Sequence, residues 1–269
     1  MNITQRSTDD YQLLSFAADD HGLAANSHLL VGPTECALVD AQFLPAMAAV
    51  VADGIARTQR QLTAIYITHG HPDHYFGSME LRRHFPSARV VATADVVADI
   101  AASFAGKRAF WLARYPIELP EQITLPEVLT DLTLRVDDAT IEVVELGPAE
   151  GLHDTVCWVP RLDALIAGDL AYNAEHAWLG DQKTDAWLLQ LAELQRRFGN
   201  VQHVLPGHGA SAGPELFAET HAYVQAFVAA ARSCNSVAAA VARLTAAFPH
   251  YRMPLFLQLS MEKWFAVPV

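Results

Sequence analysis

The stretch "THGHPDH", Thr68 to His74, places three imidazoles and one carboxylate within seven residues. These are metal-ligand types, and H-x-H-x-D-H arises by chance in on the order of 1 in 10³ chains of this composition. Pro72 disfavours helical backbone at His71, so His69 to Pro72 is expected to stay extended and bring His69 and His71 to one point. Asp73 and His74 then open a helix and serve a neighbouring point. Three histidines plus a solvent position suit a catalytic Zn²⁺, so the first point needs one more ligand and the second needs two.

Three later positions offer them. His153 in "GLHDT" follows the apolar run "TIEVVEL", Asp169 in "IAGDL" follows "ALIAG", and His208 in "LPGHG" follows "VQHVL". Each is a ligand type just past a strand-like run, with glycine nearby, which is how several strands aim side chains at one sheet edge. Apart from His176, the remaining histidines do not share that place and read as ordinary structure.

These residues need rigid elements behind them. The apolar run Ala64 to Ile67 reads as a buried strand that ends at Thr68 and His69. Nine short β-like runs occur across both halves of the chain, interleaved with helical patterns over 43–57, 77–85, 94–104, 184–198 and 214–232, with Thr184 and Asp185 as cap candidates for the fourth. No Pro/Gly/Ser-rich linker divides the halves, which argues for one α/β domain with helices covering sheet. Residues 234–269 read as an appended helical cap. The aromatic, proline-punctuated stretch within 95–126 reads as an irregular packed insertion, and whether it and the last helices form a lid is left open.

With 269 residues, 52% of them apolar, the chain can bury a sizeable core. Lys and Arg number 18 against 30 Asp and Glu, a net charge of −12 with no basic run longer than a pair. That balance argues against a nucleic-acid partner. The opening "MNITQRSTDDYQ" has neither a basic nor an apolar leader segment, and no stretch reaches the about 18 apolar residues of a membrane span. A cytoplasmic protein with no membrane partner is the expectation. Cys36, Cys157 and Cys234 are odd in number and lack C-x-x-C spacing, so reduced, buried thiols are expected.

The order T-H-x-H-x-D-H, then His153, Asp169 and His208, resembles the metallo-β-lactamase superfamily, and the match runs from Val39-Asp40 to Gly209. The resemblance implies a four-layer αβ/βα sandwich spanning residues 1–269 as a single domain, with two pseudo-symmetric halves at about 1–135 and 136–233 and the helical extension beyond. It implies that His69, His71 and His153 bind one metal, that Asp73, His74 and His208 bind a second, and that Asp169 bridges them. Two Zn²⁺ are the cofactors it points to, with Fe or Mn as alternatives. A bridging Asp169 favours the lactonase, glyoxalase II and phosphodiesterase-like branches over true β-lactamases. Tyr172 stands three residues after Asp169, where acyl-homoserine lactonases carry a tyrosine that polarises the lactone carbonyl.

The function implied is a dinuclear zinc hydrolase, in which a hydroxide between the ions cleaves a small-molecule ester, lactone or thioester, lactone slightly ahead. Asp73 would relay the proton and Tyr172 would donate to the carbonyl oxygen. Phe110, Trp111, Tyr115, His176 and Trp178 are candidates for an apolar pocket, with Trp264 and Phe265 closing it. The alternatives are an iron-dependent persulfide or thiol dioxygenase, or a β-lactam or phosphodiester hydrolase. A non-catalytic protein on the same fold is opposed by the complete ligand set. The partner expected is a small-molecule substrate, and a homodimer stays open.

Overall fold

In the computed structural model, residues 2–8, 10–114 and 119–266 are described. Two antiparallel hairpins start the chain, with β1 (Asn2–Thr8) on β2 (Tyr11–Ala17) and β3 (Asn26–Val31) on β4 (Glu35–Val39). Helix α1 (Pro45–Thr58) crosses over to β5 (Gln61–Tyr66), and α2 (Pro72–Tyr75) and α3 (Ser78–His84) cross over to β6 (Arg89–Ala92). These crossovers are what allow β4, β5 and β6 to pair in parallel. The long helix α4 (Ala94–Arg114) leads to the short β7 (Glu127–Val128), which completes a sheet of order β1-β2-β3-β4-β5-β6-β7.

The second sheet is built from β8 (Thr133–Val136), β9 (Ala139–Gly147), β10 (Asp154–Val159), β11 (Ala164–Tyr172) and β12 (His203–His208). Helix α5 (Thr184–Phe198) is the crossover that makes β11 and β12 parallel; the other pairs are antiparallel. Helices α6 (Glu215–Ser233), α7 (Val237–Ala247) and α8 (Pro254–Ala266) follow.

Strand alternation explains the layers. Leu30, Val39 and Tyr66 of the first sheet meet Ile141, Cys157 and Ile166 of the second in one buried cluster between the sheets. The opposite faces, such as Leu29, Leu38 and Ile65, or Val156, Leu165 and Val204, lie in a second cluster with helical residues. Helix α1 offers Ala48, Val51, Ala52 and Ile55, spaced as one helical stripe, and α5 offers Trp187, Leu191 and Leu194. The result is an αβ/βα sandwich. Both sheets are covered on both sides, so their central strands read as unbroken apolar runs, β11 being buried at every residue.

Local details depart from expectation. Helix α4 continues ten residues past 104, because "KRAFWLAR" is rich in helix formers and buries Trp111 against Phe43, ring centres 5.4 Å apart. Much of the stretch expected to be irregular is therefore helix. Asp169 lies inside β11 rather than after it. The position before α5 is Lys183, with no side-chain cap bond. Cys36, Cys157 and Cys234 are unpaired, the first two buried. Among the described residues no helix is long and apolar enough to cross a membrane.

The parallel strands β5, β11 and β12 all deliver their C-terminal ends to one rim, and side chains lock the two sheets together there. Asn26 Nδ2 donates to the carbonyls of Pro206 and Gly209 at 2.9 and 2.8 Å, and Thr155 Oγ1 donates to Thr68 O at 2.7 Å.

Candidate metal centre

Three imidazoles at this rim share one construction. His74 Nδ1–H donates to Asp40 Oδ2 at 2.9 Å, and His208 Nδ1–H donates to Leu23 O at 2.9 Å. His69 Nδ1 lies 2.9 Å from Thr68 Oγ1, whose hydroxyl is 2.9 Å from Asp40 Oδ2. Each ring thus spends its Nδ1 on a fixed partner and turns Nε2 inward, and all three Nε2 atoms are buried without a hydrogen-bond partner. Asp40 holds two of the rings, one directly and one through Thr68. Such outer contacts fix tautomer and orientation at a metal site.

His71 is set differently. Its Nε2 bonds Asp181 Oδ2 at 3.2 Å, and Trp178 Nε1–H donates to the same oxygen at 2.6 Å, leaving Nδ1 to face the rim. Asp169 reaches the centre because β11 shifts register at Gly168, whose φ of +50° suits glycine. Its Oδ1 lies 3.1 Å from His74 Nε2, and its Oδ2 lies 3.2 Å from His208 Nε2 and 3.9 Å from His69 Nε2. Asp73 Oδ2 is 3.3 Å from His208 Nε2.

Two groups of side chains result. Asp73, His74 and His208 form one, while His69, His71, Glu150 and Asp169 form the other, with the ligand atoms of each group within 4.8 Å of one another. Oxygen and nitrogen ligands of one tetrahedral Zn²⁺, bonded at about 2.0–2.1 Å, stand about 3.3 Å apart. The close pairs here bracket that value.

Electrostatics agree with this donor set. Burial pulls the His74 and His208 imidazoles down, but Asp169, Asp40 and Asp73 around the first, and Asp169 and Asp73 around the second, more than offset it. His74 is held well above its usual range and His208 is raised to about 10. His69, where burial is joined by the repulsion of His74, falls well below its usual range. Burial drives the Glu150 carboxyl well up and the Asp154 carboxyl to about 7. Against the upward push of burial, His74 and His208 hold the Asp73 and Asp169 carboxyls below their usual range, so the rim keeps carboxylates whose charge calls for cations. With its inward, unpartnered nitrogens and carboxylates, the site fits divalent ions.

His153 is not in either group. The turn between β9 and β10 is tied by Ala149 N–H to Gly151 O at 3.1 Å and by Gly151 N–H to Asp154 Oδ2 at 2.8 Å. That turn buries Glu150 and aims His153 outward, half-buried, with Nδ1 3.7 Å from Asp95 Oδ2. Glu150 stands where an imidazole is expected, its Oε2 2.8 Å from His71 Nδ1. The sequence reading missed it by searching the turn for histidine; "GPAEGLHD" offers a carboxylate three residues earlier.

The Tyr172 hydroxyl donates to Asp169 Oδ2 at 2.6 Å, and its ring stacks on His208 at 5.0 Å between centres. Its only proton is thus committed to Asp169 and does not face a substrate. A cavity of about 240 Å³ opens beside the centre, walled by Phe110, Trp111, Trp178 and Phe256, with Asp73, Lys107, Asp181 and Lys263 among the polar groups. Phe110, Trp111 and Trp178 are therefore part of this cavity's wall. His176 is not, since it is buried against the Tyr223 hydroxyl with Nδ1 2.9 Å away. Tyr115 lies outside the described residues. Trp264 anchors α8 by donating to Leu179 O at 2.8 Å, and it is Lys263 beside it that reaches the cavity.

A family model described as the metallo-beta-lactamase superfamily matches residues 22–222. A metallo-beta-lactamase type 2 from Bacillus sp. (strain 170) is 26% identical over 154 residues, 56% of this chain and 53% of that protein. A hydroxyacylglutathione hydrolase from Cyanothece sp. is 44% identical over 61 residues, 23% of this chain and 22% of that protein. The chain thus spans about half or less of the length of the curated relatives it matches. Among solved structures, a metallo-beta-lactamase from Pseudomonas aeruginosa in a mono-zinc form superposes with a TM-score of 0.60 at 18% identity, covering 84% of this chain and 96% of that one.

Proposed function

This chain belongs to the metallo-beta-lactamase superfamily, and from that premise we propose that it is a dinuclear metal-dependent hydrolase of a small-molecule ester, lactone or thioester. The observation that carries the reading is the convergence of seven buried ligand side chains on one rim, directly against an apolar cavity. Asp73, His74 and His208 would hold one ion, His69 and His71 with a carboxylate the other, and Asp169 stands between them. Zn²⁺ is the first candidate for the Asp73 group, and a relative by fold was solved with zinc.

Bound divalent ions supply a water activated at neutral pH and a positive field for a developing oxyanion. The chain's own residues do the rest. Phe110, Trp111, Trp178 and Phe256 take the apolar body of the substrate and exclude water. Asp73 lines the cavity and is the carboxylate placed to hold a proton on its way to the leaving group. Lys263 Nζ sits 5.1 Å from the Trp178 ring centre and 5.5 Å from that of Phe110, a cation kept at the apolar wall.

The lactone preference rested on Tyr172 as a donor to substrate, and the hydrogen bond to Asp169 removes that support. Lactone therefore stands level with ester. The short match to a hydroxyacylglutathione hydrolase favours the thioester arm. The name of the longer-matching relatives makes β-lactam hydrolysis the second reading. The test is metal analysis followed by a panel of lactone, ester, thioester, phosphodiester and β-lactam substrates. Hydrolysis of an acyl substrate, abolished by chelation and restored by metal, is expected. Turnover that survives metal removal would sink the proposal, and oxygen uptake with a thiol substrate would replace it with the dioxygenase reading.

A further inference from the structure

We propose that the substrate carries a carboxylate a few bonds from the acyl bond that is cleaved, and that Lys263 is the residue that selects it. The inference rests on the hydrolase reading above and goes further, to the charge of the molecule admitted.

Lys263 lines the cavity because the fold fixes it there. Hydrogen bonds strap the last turns of α8 to segment 178–182: Leu179 N–H donates to Ser260 Oγ at 2.9 Å, Trp264 Nε1–H to Leu179 O at 2.8 Å, and Gln182 Nε2–H to Lys263 O at 3.1 Å. Gly180 then makes room for the side chain, since an ideal Cβ there would stand 2.8 Å from Lys263 Cδ and 2.4 Å from Trp178 Cζ2. The apolar stem therefore passes beside the indole. The ammonium at its end sits 5.1 Å from the Trp178 ring centre and 5.5 Å from that of Phe110.

The charge on that ammonium is left for a ligand. The cavity's other lysine is committed, Lys107 Nζ donating to Gly70 O at 2.7 Å and to Asp99 Oδ2 at 3.3 Å. Among the described residues, no carboxylate oxygen lies within 4.0 Å of Lys263 Nζ. Asp181, on the same wall, spends its Oδ2 on the contacts to Trp178 and His71. Aromatic faces attract a cation but bring no charge of their own, so a full positive unit stands at the cavity. A lysine acts as a point charge, and one such charge matches one carboxylate. The wall also sets the spacing. The Trp178 ring centre is 6.4 Å from that of His71, so a single indole separates the ligand rim from the ammonium. A flat apolar body along Phe110 and Trp178 would carry a reacting group at one end and the carboxylate at the other.

The test uses the full chain as purified and two unreactive ligands of one shape, para-acetamidobenzoate and its neutral amide, with affinities read by calorimetry. The wild type should bind the anion on the order of 10-fold more tightly than the amide. Lys263→Met keeps the stem and removes the charge, so it should bring the two ligands level, and Lys263→Arg should restore the preference. With the matching ester, para-acetoxybenzoate, Lys263→Met should raise KM by about 10-fold with kcat little changed. Equal affinity for the two ligands in the wild type, or binding of neither, would overturn the proposal. So would a preference that survives in Lys263→Met, because the rim and not the lysine would then hold the carboxylate. A preference that depends on Lys263, in a protein that turns over no acyl substrate, would leave the anion subsite standing and defeat the hydrolase reading instead.

Discussion

Asp40→Asn is the substitution whose outcome the structure constrains most closely. The Asp40 carboxylate is buried and accepts three donors: Thr68 N–H at 2.9 Å, the Thr68 hydroxyl at 2.9 Å, and His74 Nδ1–H at 2.9 Å. Its backbone sits at φ +64°, a conformation asparagine tolerates, so the change is confined to the side chain. An amide has one oxygen where the carboxylate has two. If its nitrogen faces His74, either two donors collide or His74 changes tautomer and puts its proton on Nε2, the atom aimed at the metal. If its nitrogen faces Thr68 N–H, the collision moves to the residue that positions His69. Either orientation leaves a buried donor unmet, at about 1–3 kcal/mol of metal-free stability. Loss of an outer contact of this kind costs about 10- to 100-fold in metal affinity, or about 1.4–2.7 kcal/mol. Competition against a chromophoric chelator measures the affinity, and urea unfolding of the stripped protein measures the stability. Unchanged affinity at both groups alongside reduced stability would confine Asp40 to folding and refute the reasoning.

Three further outcomes are expected. Gly207→Ala should expel Asp169 from the rim, because an ideal Cβ would stand 1.8 Å from Asp169 Oδ1; full metal occupancy in this variant would count against Asp169 as a ligand. Tyr172→Phe should lower both metal affinity and kcat with KM little changed, since the lost hydrogen bond to a charged acceptor is worth about 1.5–3 kcal/mol and acts through Asp169; a loss of rate with metal affinity intact would return the hydroxyl to the substrate. His28 donates Nε2–H to Pro206 O at 3.2 Å, accepts from Ser15 at Nδ1, and is pushed down to about 4 by burial. The unfolded chain takes up that proton near pH 6.5, so stability falls as pH drops from about 6.5 to 4, by up to about 3 kcal/mol. His28→Gln should flatten the pH dependence of unfolding over that interval, and an identical acid slope would contradict the assignment.

The order of strands and helices was legible because its signals are local: apolar runs for β4, β5 and β11, a 3–4 spacing in α1 and α5. His69, His71, Asp73, His74, Asp169 and His208 were legible as ligand types past such runs, and the structure brings these six to one rim. What was not legible depends on how turns and distant segments aim side chains. Glu150 and His153 are three residues apart in one turn, and the ties from Ala149 to Gly151 and from Gly151 to Asp154 set which faces inward. Asp40 holds His74 across 34 residues and Asp181 holds His71 across 110, separations that periodicity does not report. Phe256 and Lys263 reach the cavity from α8, a helix whose mixed pattern gave no hint of which face it turns to the site.

Helix α8 carries no member of either ligand group. It nevertheless forms part of the cavity wall through Phe256 and Lys263. On the proposed function, part of the substrate wall is therefore carried on a segment apart from the ligands, so change at Lys263 can alter which molecules are admitted, acting on the rim only through its charge beside Asp181, the partner of His71. Phe256 is the exception, because its ring meets that of His208 edge-on with 5.3 Å between centres. Variation there is coupled to the metal rim, and libraries aimed at new substrates should diversify the Lys263 end of the helix and hold Phe256 fixed.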